Sequence, residues 1–467
     1  MGSNSNEDDN GGEHNNNNNY HVIDMCKWKV NQERLASMQA KINQNPKLLS
    51  KAAGKRTCCI FRVPQSLMDA NGKAYQPRIV SIGPYHRSQP RLNMIEEHKW
   101  HYLASLLARI QPQGITLETL LESLAPLESR ARECYSESLQ LDTDDFLEML
   151  VLDGCFIIEL FRKVARLVPF ELDDPLVTMA WILPFFYRDF LKLENQIPFF
   201  ILQRLFDISN LNSPRDNKQS TPSLTALALE FFNNILLRPD EVIADKSRTA
   251  KGMHLLDLIR SSFIPNDDQV AEPKRMSTPT HVIHCVSKLR RAGIKINPGK
   301  DQETFLHVTF KHGVIEMPMI TVDDFMSSFL VNCVAFEQCY SGCSKQFTTY
   351  VTLLDCLINT YRDVEYLCDR NIIENHFGTE GEVASFVNNA GKDVAVDLEM
   401  CYLSRLFNEV HEYYSNSWHV QWASFKYTYF DTPWSFISAL AAFVLLVLTV
   451  AQTYFAAYQY FDPKKFN

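Results

Sequence analysis

Apolar side chains recur every three or four residues along most of this chain, the spacing that gives a helix one greasy face. The pattern predicts a helix over Trp28 to Ile42, closed by Pro46, and another over Leu92 to Ile110, with Leu103, Leu106, Leu107 and Ile110 in register. Thr143, Asp144 and Asp145 precede an apolar run from Phe146 to Leu167, as residues at a helix start do. Leu147, Leu150, Val151, Ile157, Ile158 and Phe161 cover almost every side of that run, so it reads as a central, buried helix. Trp181 to Phe190 and Ile197 to Phe206 are apolar stretches interrupted by Pro184 and Pro198. Further helices are predicted over Thr225 to Leu237, Val282 to Arg291, Phe325 to Tyr340, Phe347 to Leu367 and Leu398 to Tyr414.

Strand patterns are few. Phe305 to Phe310 and Val314 to Met317 flank Lys311, His312 and Gly313, which predicts a hairpin near 305–317 with Gly313 free to take positive φ. Arg78 to Ile82, just before Gly83 and Pro84, reads as a second short strand. The expected fold class is mainly α with a minor β element.

Near the C-terminus the amphipathic pattern gives way to a continuous apolar one. No Asp, Glu, Lys or Arg occurs from Thr432 to Phe461. A bilayer core takes a helix of about 20 such residues, whose backbone must bond to itself where water is absent. Phe436, Leu440, Phe443, Leu446 and Val450 fall within the predicted span, while Trp434 and Tyr454, with Tyr458 and Tyr460, stand where aromatic anchors belong. The alternative is a buried core helix. Ser435, Ser438, Ala439 and Ala442 form a small-residue face on which a second such helix would pack in self-association.

This divides the chain into an Asn-rich N-terminus (1–21), a mainly helical region (22–430), the membrane segment with its flanks (432–461) and a short tail (462–467). The N-terminal stretch is too polar to bury a core and is expected to be disordered. Segments 210–221 and 265–280, rich in Ser, Asn, Asp and Pro, read as soft linkers. With no basic and apolar leader at the N-terminus, insertion through the C-terminal span leaves the bulk in the cytosol, at the plasma membrane or an endomembrane. Lys464 and Lys465 after the span argue the other way.

Composition narrows the function classes. A net charge of −9 gives no pull toward nucleic acid. The 12 cysteines are scattered among apolar residues and suit free thiols as well as disulfides. His281, His284 and Cys285 would share a helix face, but neither they nor Cys333, Cys339 and Cys343 show zinc-site spacing, so no metal or other cofactor is expected. Cys58 and Cys59 read as buried thiols. No glycine-rich phosphate loop or nucleophile elbow occurs, and the expectation is a protein without catalytic residues.

Several polar residues set in apolar strings carry a family resemblance. These are Ile60-Phe-Arg-Val-Pro64, Tyr75 to His86 with its Ser-Ile-Gly-Pro-Tyr-His, Glu96-Glu-His-Lys99, Ala131 to Tyr135, Leu152-Asp-Gly-Cys-Phe156 and Leu193-Glu-Asn-Gln-Ile-Pro-Phe-Phe200. Leu289 to Ile294, Phe305 to Pro318, and Asn332, Ala335, Phe336 and Glu337 extend the match. Together they resemble the plant domain-of-unknown-function family 247, from about Val22 to the final span. The resemblance implies a plant membrane protein without an established enzymatic activity, ending in one transmembrane helix. Some family members in grasses are associated with self-incompatibility, which makes a cell-surface recognition determinant one alternative. The residues so marked are Arg62, Pro64, Gly83, Pro84, Tyr85, His86, Asp153, Glu194, Asn195, Gln196, Pro198 and Glu337, and their preferred role is structural. An uncharacterised enzyme is the other alternative. It requires Arg62, His86, Asp153 and Glu194 to converge in one concave site. The leading reading is a membrane-anchored, non-enzymatic protein-interaction or signalling component.

Overall fold

One helix organises the N-terminal half. Thr143–Val164 is capped by Asp142, whose carboxylate accepts the Asp145 amide at 2.8 Å, and nearly all of its residues are buried. In the computed structural model the described residues are 31–43, 58–171, 174, 181–210, 222–265, 283–299, 304–399, 401–415 and 433–461. Ahead of the central helix come α1 (Gln32–Asn43), α2 (Gln65–Tyr75), α3 (Asn93–Ile110), α4 (Leu117–Leu124) and α5 (Glu128–Glu133), making the central helix α6. After it follow α7 (Leu183–Asp189), α8 (Phe199–Ser209), α9 (Leu224–Leu236), α10 (Asp240–Thr249) and α11 (Leu255–Phe263).

Helices α3, α8 and α9 pack on α6. The centre is aromatic: Phe156, Phe161, Phe186, Phe190, Phe231 and Phe232 meet with ring centroids 4.8 to 6.5 Å apart, mostly edge to face. Such contacts add about 0.5–1.5 kcal/mol per pair beyond the area buried. The ions carried into this core are paired. Glu159 binds Arg162 at 2.8 Å and Arg109 at 2.5 Å, and Lys163 binds Asp174 at 2.8 Å. Unpaired, each would cost several kcal/mol.

The second half builds on α13 (Asp324–Cys339), which follows α12 (Val286–Arg291) and is followed by α14 (Gln346–Leu357), α15 (Tyr361–Asp369), α16 (Glu380–Ala390) and α17 (Ser404–Ser415). Phe263, Phe305, Phe325, Phe329, Phe347 and Tyr350 form a second aromatic cluster around it.

The expected hairpin is present but shorter on one side: β2 (Thr309–Lys311) pairs antiparallel with β3 (Val314–Met317). Both turn residues are left-handed, His312 at φ 50° and Gly313 at φ 77°, the geometry of a two-residue turn matched to strand twist. Strand β1 (Lys295–Pro298) joins β3 in parallel, and β4 (Ile320–Val322) pairs in parallel with β5 (Ile373–Asn375). These additions are three or four residues long and leave no periodic trace.

Four expectations need correction. The helix expected from Leu398 begins only at Ser404. Residues Arg78 to Ile82 do not form a strand, for a reason given below. The run Phe347 to Leu367 is two helices, because Ile358 is extended (φ −109°, ψ 102°) and Thr360 starts α15 through a capping box with Asp363. Helix α12 begins only at Val286, so His284 and Cys285 lie before it and share no helix face. The N-terminal tail, both soft linkers beyond Asn210 and Pro265, His281 and the tail after Phe461 lie outside the described residues.

Helix α18 (Pro433–Phe461) is the last element. Its stretch Ile437–Ala457 is long and apolar enough to cross a membrane, about 30 Å at 1.5 Å per residue, and none of it is buried against the rest of the protein. Leu440, Phe443, Leu446, Val450 and Tyr454 are exposed, as is Trp434, which disposes of the buried-core alternative.

Candidate functional site

The marked residues gather where the segment 58–86 lies across the connection from α7 to α8. That connection, Phe190 to Pro198, is buried although it is irregular, so its own polar groups and its neighbours' must find partners inside. Side chains supply them.

The Asp189 carboxylate accepts the amides of Arg78, Ile79 and Val80 at 2.8 to 3.2 Å. Asn195 takes the Ile82 amide on Oδ1 at 2.7 Å and donates through Nδ2 to the carbonyls of Val80 and Asp189. This is why 78–82 is not a strand: its backbone bonds are made to two side chains rather than to a neighbouring strand. Burial pushes the Asp189 carboxyl up, against the pull of those amides. Gln196 donates to the Phe190 and Lys192 carbonyls and accepts the Leu256 amide. Asn332 of α13 accepts the Leu193 amide at 2.9 Å.

Arg62, Tyr85, His86 and Glu194 do converge. Arg62 Nη1 donates to Glu194 Oε2 at 2.8 Å, and the Val63 amide donates to Glu194 Oε1 at 2.8 Å. His86 Nε2 lies 3.2 Å from the same Oε2, outside good hydrogen-bond alignment, while its Nδ1 sits 2.9 Å from Gln89 Nε2. The Arg62 guanidinium stacks 4.2 Å above the Tyr85 ring and reaches Glu137 at 3.3 Å. Burial raises the Glu194 carboxyl, but His86, the Val63 amide and Arg62 together outweigh it and hold the group below its usual range. The outcome is a carboxylate kept ionised with both oxygens occupied.

Asp153 lies behind this cluster, on α6. Its Oδ2 accepts the Gly83 amide at 2.8 Å and its Oδ1 the Lys99 ammonium at 2.6 Å; Lys99 also reaches the Ser81 carbonyl and Glu96. Gly83 has φ 75°, and a Cβ there would stand 2.4 Å from the Gln196 carbonyl oxygen. Only glycine fits. Pro64 and Pro198 precede the first residues of α2 and α8, where a missing amide hydrogen costs nothing. Glu337 is elsewhere, fully buried on α13, bound to Arg260 Nε at 2.8 Å and to the Thr348 amide and hydroxyl.

Sequence reading missed three members of the network. Lys99 ends the string Glu96-Glu-His-Lys99, where nothing in the sequence marks its role. Asp189 stands one residue before a predicted apolar end and gave no signal. His254 caps α11: Nδ1 accepts the Asp257 amide at 3.2 Å, and Nε2 lies 3.1 Å from the Cys59 carbonyl oxygen. With Nδ1 accepting, Nε2 must carry the hydrogen, so the ring is neutral, and burial pushes it down to about 4. Cys59 and Cys134 share a hydrogen bond that raises the first thiol and lowers the second. The described cysteines are free thiols. Among the described residues, no group of three or more His, Cys, Asp or Glu side chains is placed to hold a metal ion.

Residues 60–448 match the model of DUF247, described as a plant protein of unknown function. The chain is similar to the UPF0481 protein At3g47200 of Arabidopsis thaliana, 37% identical over 91% of each chain. It is also similar to the putative UPF0481 protein At3g02645 of the same plant, 23% identical over 93% of this chain and 95% of the other. No solved structure matches.

Proposed function

The chain belongs to the DUF247 family of plant proteins of unknown function, and we propose that it is a single-pass membrane-anchored component that works through protein contacts rather than catalysis. The observation that carries the anchor is the apolar helix Ile437–Ala457, none of which is buried. In water it would present a surface far larger than monomeric proteins tolerate, so a bilayer is its natural surroundings. What supports the non-catalytic half is the use of the converged residues. Arg62, Asp153, Asp189, Glu194, Asn195 and Gln196 bind backbone amides, backbone carbonyls or each other, and so hold an irregular buried connection in place.

The bulk faces the cytosol in this reading. Its free thiols support that side, since burial holds Cys155, Cys339, Cys343 and Cys356 at about 12, unreactive and suited to a reducing compartment. The test is protease treatment of sealed vesicles carrying a version tagged at both ends, with alkaline carbonate extraction beside it. Resistance to carbonate with digestion of the N-terminal tag supports the reading. Release by carbonate removes the anchor, and protection of the N-terminal tag reverses the orientation and favours the cell-surface recognition alternative.

A further inference from the structure

A cleft of about 300 Å³ opens between α2, α7, α13 and α16, away from the cluster around Glu194. Its wall is unusually basic for a protein with a net charge of −9. Lys73, Arg78, Arg188 and Lys192 line it against a single carboxylate, Asp324, which is largely exposed and bound to Arg188 at 2.8 Å. Neither Lys73 nor Arg78 has an acidic partner among the described residues. Asp189 is close to Lys192, but both its oxygens are turned to backbone amides.

Lys192 is the telling residue. Its side chain is buried, which is costly for an ammonium, and it donates to the Ala74 carbonyl at 2.6 Å and the Ser328 hydroxyl at 2.5 Å. An ammonium has three hydrogens, so one is left over on a residue that lines the cleft. Phe377 and Phe386, with ring centroids 5.5 Å apart, close the opposite side. Helix α2 is broken at Asn71 (φ −138°, ψ 31°), and a Cβ on Gly72 would meet nothing within 4 Å, so the rim there is open.

We propose that this cleft binds a phosphorylated polyol, its phosphate held by Arg78, Arg188 and Lys192 and its ring lying against Phe377 and Phe386. A multiply charged phosphate matches several converging cations; one carboxylate would leave most of them unneutralised. The volume suits a single phosphorylated ring. The same chemistry occurs in a free sugar phosphate and in a phosphoinositide headgroup. The inference goes beyond the anchoring reading and does not depend on it.

The charged neighbours of Lys192 are Asp189 and Asp324, which favour its proton, and Arg78 and Arg188, which oppose it. Burial dominates and pulls it down to about 8. A bound phosphate would restore the proton, so affinity should fall as pH rises past that value.

The experiment uses the full chain in phosphatidylcholine nanodiscs, titrated calorimetrically with inositol 1,4,5-trisphosphate and, as control, myo-inositol. Saturable binding of the trisphosphate alone is expected, weakened about tenfold or more in both Arg78→Ala and Arg188→Ala. Arg78 has an exposed side chain, and its backbone bond to Asp189 survives the change, so that variant should fold. Repeating the titration in discs in which about one lipid in twenty is phosphatidylinositol 4,5-bisphosphate identifies the source. Competition points to the headgroup, and unchanged affinity to a free ligand. Equal heats for both probes, or binding indifferent to both arginine variants, overturns the proposal.

Discussion

Acid should weaken this fold through His254. The ring is completely enclosed, with Phe336 edge-on at 5.0 Å, and both nitrogens are used in the neutral form. Protonation would give the ring a second hydrogen, on Nδ1, facing the Asp257 amide that Nδ1 now accepts. Burial lowers its pKa from 6.5 to about 4, the Asp257 carboxylate and the Cys59 carbonyl pulling the other way and Arg260 adding to the fall. With the folded-state value depressed, the unfolded chain takes up the proton first. The contribution is therefore fully present above about pH 6.5, declines as pH falls through the window from 6.5 to 4, and is gone below it. At about 1.4 kcal/mol per unit the whole effect is about 3 kcal/mol, of which about 2 kcal/mol is lost by pH 5. Many groups titrate across that range, so the measurement must be a difference. His254→Asn keeps an acceptor for the Asp257 amide and does not titrate. Urea unfolding of both proteins in detergent, followed by tryptophan fluorescence, should show the wild type more stable at pH 8, by a margin that shrinks by about 2 kcal/mol at pH 5. A margin that stays constant would refute the assignment of a neutral, buried imidazole.

Other perturbations probe the same network. Gly83→Ala combines a left-handed backbone with a Cβ driven into the Gln196 carbonyl, and should cost about 2 kcal/mol or more in the same unfolding assay. Asp189→Ala strands three backbone amides, that of Val80 fully buried, and should cost at least about 3 kcal/mol, with hydrogen exchange accelerated first at Arg78, Ile79 and Val80. Glu194 is held below its ordinary value, so its contribution is present above the usual carboxylate range and disappears as pH falls through the folded-state value. Glu194→Gln should lower stability by about 1–3 kcal/mol at neutral pH and by less near pH 3. If catalysis is absent, that variant should leave any cellular readout of the protein in step with its abundance, measured by quantitative blotting.

Much of the fold was legible because its signals are local. A helix writes its buried face into the chain at a spacing of three or four residues, and Leu103, Leu106 and Ile110 are buried as that spacing requires. The boundaries that went astray did so at local breaks. Ile358 differs from a helical isoleucine only in backbone angles, and nothing in an apolar run from Phe347 to Leu367 announces it. Short parallel strands such as Ile320–Val322 and Ile373–Asn375 draw their pairing from a partner some fifty residues away, beyond the reach of any pattern.

The chain by itself determined the mainly helical class, a hairpin turning within Lys311 to Gly313, the long apolar helix near the C-terminus, and which polar residues stand out in apolar strings. Each of those follows from residues adjacent in sequence. Tertiary structure alone decided what the polar residues do. Residues 78–82 carry a strand's composition, yet Asp189 and Asn195 take their amides across more than a hundred residues of chain. Arg62 meets Glu194, and Arg78 comes to share a cleft with Lys192 and Phe386, by the same kind of long closure. A backbone group buried away from water must be satisfied by whatever the fold brings within 3 Å of it, and sequence spacing holds no record of that partner.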